Sequence, residues 1–294
     1  MTSYSPKDIV RAFREAGIEA GDTIFLSCFL SSLGRLEGAS SKEIFCASYL
    51  SSIFEVLGSS GTLVVPTYTQ QVGRFGVPYI HETTPTPYGE FYELIRSRPG
   101  AVRSFHPVFS LTAMGAKAAQ ICGEVDASGF GVNSAFGYLF RSGGKSLSLG
   151  FELSSGNIVK GAHYVETTYG APYTYNKILD ADVYKKGQKS SKVFVLNVPY
   201  RNVGVEFDFS RYTQTLNERG LLRSAKLGEG ILFACDLNEQ LRVGYELLDE
   251  DVYAFLEKAP QFEHGKIPLE GCEERLSASE ARNWTGMGIA GGWY

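Results

Sequence analysis

The chain has 294 residues, 44% hydrophobic and 20% charged, enough apolar material for the core of one large α/β domain or two small ones. Its formal net charge of -4 gives no basic face to neutralise phosphates along a nucleic acid, so a nucleic-acid partner is not expected. Apolar stretches such as Thr62 to Pro66 fall far short of the roughly 20 residues a bilayer needs, and MTSYSPKDIVRAF lacks a basic region followed by an apolar run. The expectation is a cytoplasmic protein without a membrane partner.

Five cysteines, Cys28, Cys46, Cys122, Cys235 and Cys272, are scattered, odd in number and never spaced CxxC. That pattern fits reduced thiols and offers neither a zinc knuckle nor a disulfide framework. Asn283-Trp284-Thr285 matches a glycosylation sequon, which carries no meaning without secretion.

In chain order, Ser5 and Pro6 read as a helix cap and first turn, with Ile9, Val10, Phe13 and Ala16 on one apolar face and Gly17 at the end. Thr23 to Phe29 has strand length. Ser40 with Glu43 reads as a capping box for a helix running to Gly58. GTLVVPTYT is a second buried strand ending at Pro66. Strand, helix, strand in this order is a βαβ unit and predicts a mainly parallel sheet. Gln70 to Pro87 is aperiodic, rich in Gly, Pro and Thr, and reads as a loop long enough to be functional.

Short helices are expected over Glu90–Arg98 and Ala116–Cys122, with Ser134 capping another and Leu147–Phe151 forming a third strand. From residue 172 to 206, alternation such as VYKKGQKSSKVFVLNV predicts antiparallel hairpins, a flap or small subdomain. Asp208 or Ser210 begins a helix, KLGEGILFACDL is a strand, and DEDVYAFLEK closes the regular structure as a helix. Residues 1–260 thus form one domain, followed by a tail over 261–294 that has no clear period.

Four histidines are present. His163 lies three residues before Glu166, a spacing that makes neighbours of the two side chains if the segment is helical. A carboxylate beside an imidazole fixes its tautomer, as a general base requires. A buried histidine paired with a carboxylate for structural reasons carries the same pattern. His106 sits in RSFHPVFS, where Pro107 favours extended backbone. Arg103, Ser104 and Ser110 surround it with donors suited to a phosphate or an amide, or to the loop's own hydrogen bonds. His81 and His264 lie in polar surroundings and read as solvated.

HxxE occurs in di-metal helical bundles, but the matched carboxylates on other helices are missing, so no metal is expected. Cys28 with His163 is conceivable as a nucleophile pair, although Cys28 lies inside an apolar run. No GxGxxG follows a strand, and GxxxxGK[ST] and GxSxG are absent.

Five segments in order carry a resemblance: GDTIFLSCFLSSLG, LGSSGTLVVPTYT, RPGAVRSFHPVFSLTAMG, FGVNSAFGYLFRSGGKSLSLG and GAHYVETTYGAPY. Together, over roughly residues 5 to 258, they resemble the aminoglycoside 3-N-acetyltransferase family, also called the antibiotic N-acetyltransferase family. The resemblance implies a three-layer α/β/α fold, acetyl-CoA as acyl donor, and a small-molecule amine as acceptor, and it leaves a homodimer open. It places Ser31, Ser32, Thr67, Thr69, Arg103, Ser104, His106 and Ser110 against the cofactor. It makes His163 the general base and Glu166 its orienting or acceptor-binding carboxylate, with Tyr68, Tyr164 and Asp208 on the acceptor side. The aromatic segment from Tyr169 to Tyr175 and the flap from Lys177 to Pro199 would shape the acceptor site.

The family's first strand usually ends His-Ser-Ser-Leu, and here Ser27, Cys28, Phe29 and Leu30 stand there. With that histidine replaced, a free or nucleotide-linked amino sugar is as good an expected acceptor as an aminoglycoside. A CoA-binding protein that does not catalyse, and a Cys28 thioester hydrolase, are the alternatives.

Overall fold

The structure, a computed structural model, describes residues 3–153, 156–266 and 268. At its centre lies a seven-stranded sheet. Across it the strands run Arg223–Leu227, Gly230–Asp236, Lys145–Leu149, Thr23–Cys28, Thr62–Pro66, Leu111–Gly115 and Val102–Arg103. Thr23–Cys28 is parallel to both of its neighbours. The other four pairings are antiparallel, so the sheet is mixed rather than mainly parallel. Of the two parallel pairings, the one with Thr62–Pro66 is made by the βαβ unit that the sequence predicts, crossing over through the helix Lys42–Leu57. At one edge the chain doubles back through Gly228 and Glu229, and a connection that short joins only antiparallel strands.

Side chains alternate across the central strands. Ile24, Leu26, Leu63 and Val65 join one core with the helices Pro6–Glu15, Lys42–Leu57 and Glu90–Arg96. Phe25 and Val64 face a second core with the helices Ala118–Cys122 and Ala135–Arg141. With both faces covered, the central strands read as continuous apolar runs. A third core joins Val165 to Tyr212, Val243 and Phe255 from three further helical or turn segments.

Local cues place most elements. Ser5 accepts from Asp8 N while Asp8 accepts from Ser5 N at 2.8 Å, a reciprocal cap. Ser134 likewise caps Ala135–Arg141. The cap of Lys42–Leu57 is Ser41, one residue later than the capping-box reading, because Ser41 Oγ is the group that meets Ile44 N. Inside the supposed loop 70–87 lie the helix Gln70–Phe75 and the short strand Tyr79–Ile80. The closing helix is Leu237–Glu250, and Asp251 to Glu257 is mostly turn with Phe255 buried. The third strand begins at Lys145 and ends at Leu149.

Thr174–Ile178 pairs antiparallel with Val195–Pro199, and Val183–Lys185 with Gln188–Lys189. Val183–Lys185 also pairs in parallel with Tyr79–Ile80. Of the tail from 261 to 294, only 261–266 and 268 are described, and Phe262 there packs edge-on against Tyr200 at 6.1 Å. Cys272 and the sequon at Asn283 lie outside the described residues. Cys28, Cys46, Cys122 and Cys235 are free thiols. Among the described residues no helix is long and apolar enough to cross a membrane.

Candidate active site

The helix Ala162–Tyr169 carries His163 and Glu166. The chain enters it through Gly161 at φ 102°, where a Cβ would also come within 2.8 Å of the Phe140 ring, so only glycine fits. His163 Nδ1 lies 2.6 Å from Glu166 Oε2. Glu166 is 1% exposed, and its Oε1 accepts the Tyr173 hydroxyl at 2.6 Å. A buried carboxylate needs its oxygens bonded, and here each oxygen is. Burial, reinforced by the Glu166 charge, raises the Tyr173 phenol above its usual range and keeps it a donor. With Nδ1–H directed at the carboxylate, the network assigns the neutral ring's basic nitrogen as Nε2.

The His163 ring is half-buried. Phe207 meets it edge-on at 5.0 Å, with Phe209 at 5.7 Å and Phe130 at 6.1 Å. It forms part of the wall of a cavity of about 1100 Å³. Ser31, Tyr68 and Asp208 line the same cavity. Ser31 is exposed on the single turn that follows the strand Thr23–Cys28. Tyr68 is buried edge-on against Tyr88 at 5.1 Å. Asp208 accepts from Ser210 N at 2.8 Å and Ser210 Oγ at 2.9 Å. Ser27 is also on the wall.

Other expected contacts sit elsewhere. Ser32 donates to Phe29 O and Gly150 O, each at 2.8 Å, tying two loops together. Tyr164 stacks on Phe140 at 4.5 Å within the second core. Thr67, Thr69, Arg103, Ser104, His106 and Ser110 are all buried, and none is among the residues lining this cavity. Instead of facing a cofactor there, they hydrogen-bond one another and the nearby backbone.

Arg103 Nε donates to Ser110 Oγ at 3.0 Å, one terminal nitrogen to Thr84 O at 2.7 Å and His81 O at 3.3 Å, and the other to Thr67 O at 3.0 Å. Burial lowers its pKa from the usual guanidinium value. Ser110 Oγ donates to Thr67 O at 2.7 Å, Ser104 Oγ accepts from Leu111 N at 2.9 Å, and Thr69 Oγ1 donates to Pro107 O at 2.6 Å. His106 Nδ1 accepts from Val108 N at 3.2 Å and Phe109 N at 2.9 Å, while Nε2 faces Val195 O at 3.4 Å. Burial pushes the His106 pKa down to about 4. His81, which the sequence places in solvent, is largely desolvated and pushed down to about 4 by burial and then by Arg103.

Burial raises the Cys28 thiol to about 12, which leaves little thiolate at neutral pH. Among the described residues no group of three or more His, Cys, Asp or Glu is placed to hold a metal. The structure adds two residues that the sequence does not single out. Tyr173, seven residues beyond Glu166, bonds its carboxylate, and Lys160, three residues before His163, lines the cavity.

A mixed sheet covered by helices, with a cavity-wall histidine held by a buried carboxylate, is the frame within which the likeness to known proteins falls. The family model described as aminoglycoside 3-N-acetyltransferase matches residues 25–249, and the chain belongs to that family. Aminoglycoside N(3)-acetyltransferase III of a Salmonella species is 27% identical over 183 residues, covering 58% of this chain and 62% of that relative. The match thus spans less than two thirds of the relative's length. The solved structure of AAC-IIIb in binary complex with CoASH matches with a TM-score of 0.71 at 18% identity, covering 88% of this chain and 100% of that one. AAC-VIa bound to sisomicin matches with a TM-score of 0.70 at 18% identity, covering 85% and 98%. These two likenesses establish the fold.

Proposed function

We propose that this chain is an acetyl-CoA-dependent N-acetyltransferase acting on an amino group of an aminoglycoside or of a free or nucleotide-linked amino sugar. The observation that carries the reading is His163 on the cavity wall with its Nδ1 held by buried Glu166. The family's name and the relatives titled with CoASH and with sisomicin support the donor and the acceptor class.

The cavity suits such a donor. Its volume of about 1100 Å³ lies just above the usual range for small-molecule sites, roughly 300 to 1,000 Å³. Its wall is mostly apolar, with Phe29 and Phe151 for a long flexible arm and Ser31 and Lys160 as polar contacts. Acetyl-CoA would supply an acyl group activated as a thioester, whose C–S bond breaks as the amine's C–N bond forms.

The chain's own groups manage the proton. An amine attacks only when neutral, and His163 Nε2 takes the proton that the nitrogen loses as it bonds to the acyl carbon. Glu166 holds Nδ1–H and stabilises the imidazolium that results, and Tyr173 fixes the carboxylate in turn. Phe130, Phe207 and Phe209 keep water from most of the ring.

The test is thiol release from acetyl-CoA against a panel of aminoglycosides and nucleotide-linked amino sugars. At least one acceptor should release thiol in proportion to acetylated product. No thiol release with any amine, together with neither heat nor thermal shift from millimolar CoA, would sink the reading.

A further inference from the structure

Lysine, carboxylate and imidazole groups on the cavity wall are few: Lys42, Glu90, Lys160, His163 and Asp208 among the described residues. Four are engaged. Lys42 pairs with Glu90 at 2.6 Å, His163 with Glu166 at 2.6 Å, and Asp208 accepts two bonds from Ser210. Lys160 makes no hydrogen bond or ion pair with any described residue. Its Nζ instead lies 4.5 Å from the centroid of the Phe151 ring, which packs 6.4 Å from Phe29.

An aromatic face attracts a cation but does not accept three N–H donors. Burial accordingly depresses the amine's pKa to about 7. An anion from a ligand would relieve both deficits, supplying acceptor oxygens and compensating the charge. Position matters too. Lys160 precedes Gly161, where the left-handed backbone starts the helix bearing His163, so the two side chains enter one cavity from one short segment.

We propose that Lys160 is a phosphate-binding subsite of this cavity, taking a phosphate group of the molecule whose reacting end lies at His163. The phosphate belongs either to the donor or to a phosphorylated amino-sugar acceptor. The inference rests on the cavity being the ligand site described above, and its test by binding is independent of acetyl transfer.

The experiment compares wild type with Lys160→Met, which keeps the stem on Phe151, and Lys160→Arg, which keeps the charge. Folding of each is checked by circular dichroism and melting. Calorimetry uses two matched pairs of probes, CoA with pantetheine and glucosamine 6-phosphate with glucosamine. Lys160→Met should weaken one phosphorylated probe by about tenfold or more, leave its neutral counterpart unchanged, and be partly rescued by Lys160→Arg. Loss for CoA identifies a donor phosphate, and loss for glucosamine 6-phosphate an acceptor phosphate.

The wild type should also take up protons on binding that probe at pH 8. An amine with a pKa of about 7 is mostly neutral there and recharges beside an anion, and Lys160→Met should abolish this uptake. Unchanged affinity for both phosphorylated probes in Lys160→Met, equal loss for charged and neutral probes, or no binding of either phosphorylated probe by wild type overturns the subsite. Unchanged binding in Lys160→Met beside normal thiol release removes the subsite and leaves acetyl transfer standing. Selective loss in a protein that releases no thiol does the reverse.

Discussion

Tyr173 reaches back over the glycine that ends the His163 helix and donates its hydroxyl to Glu166 at 2.6 Å, so the carboxylate is held from both sides. Tyr173→Phe removes one bond to a buried charge, a loss of about 1.5 to 3 kcal/mol in stability. The freed Oε1 also loosens the group that orients His163. We therefore expect a lower melting temperature together with a kcat reduced roughly tenfold, with KM for donor and acceptor little changed. A lowered melting temperature with unchanged kcat would reduce Tyr173 to a packing role.

Arg103 is an internal strut. Its guanidinium joins Ser110 to the carbonyls of Thr67, His81 and Thr84, and it lies 5.2 Å from the Tyr79 ring. Arg103→Ala should lower stability by about 3 kcal/mol or more, because it leaves buried acceptors unpaired. Both KM values should suffer alike. Arg103→Lys should recover only part, since one ammonium cannot reproduce the fork. A selective rise in KM for acetyl-CoA at unchanged melting temperature would restore Arg103 to the donor site.

His106 gives the protein a pH dependence in the acid range. Its Nδ1 receives two backbone N–H groups, so protonating it would set donor against donor. Its folded value, about 4, lies below the ordinary 6.5. Between these values the unfolded chain binds the proton and the folded chain does not, so stability rises with pH. The contribution is complete above about pH 6.5 and is lost as pH falls towards 4. At full displacement it is on the order of 3 kcal/mol. His81 is shifted in the same direction and adds to the slope. Urea denaturation at intervals from pH 4 to 7 should show the rise. His106→Asn, whose carbonyl oxygen can accept the same N–H groups, should flatten it. An unchanged slope in that variant would assign the dependence to other groups.

What could be read from the sequence was local. The Ser5–Asp8 cap and the βαβ unit need only near neighbours, as does the three-residue step from His163 to Glu166, and all three are in the structure. Cues that are degenerate by one residue slipped, as at Ser40 and Ser41. Residue type announced donors at Arg103, Ser104 and Ser110 but not where they point, and burial turned them inward. Sheet direction away from the βαβ unit depends on returns such as Gly228–Glu229, which sit inside a segment that reads as a single strand. Tyr173 and Lys160 acquire their roles from tertiary placement. One needs the turn at Gly170, and the other needs a cavity wall shared with Phe29 and Phe151.

The proposed mechanism stands or falls on His163. As the base it is required for the chemical step and not for binding. General acid–base catalysis contributes roughly 10²- to 10⁴-fold, so His163→Ala and His163→Asn should lower kcat by about that factor. Donor affinity should stay near wild type. The ring is half-buried and Glu166 retains its bond from Tyr173, so the fold should persist, although Oε2 loses its partner. Glu166→Gln keeps an oxygen for Nδ1–H but removes the charge that stabilises the imidazolium, so its kcat should fall between wild type and His163→Ala. Combining Glu166→Gln with His163→Ala should cost little more than His163→Ala alone, because the carboxylate acts through the ring. Steady-state kinetics with the acceptor identified by thiol release, beside calorimetry with CoA, make the comparison. A folded His163→Ala protein with near-normal kcat would remove His163 from the mechanism. His106, neutral but buried on its own backbone, is placed too far inside the fold to take over the proton.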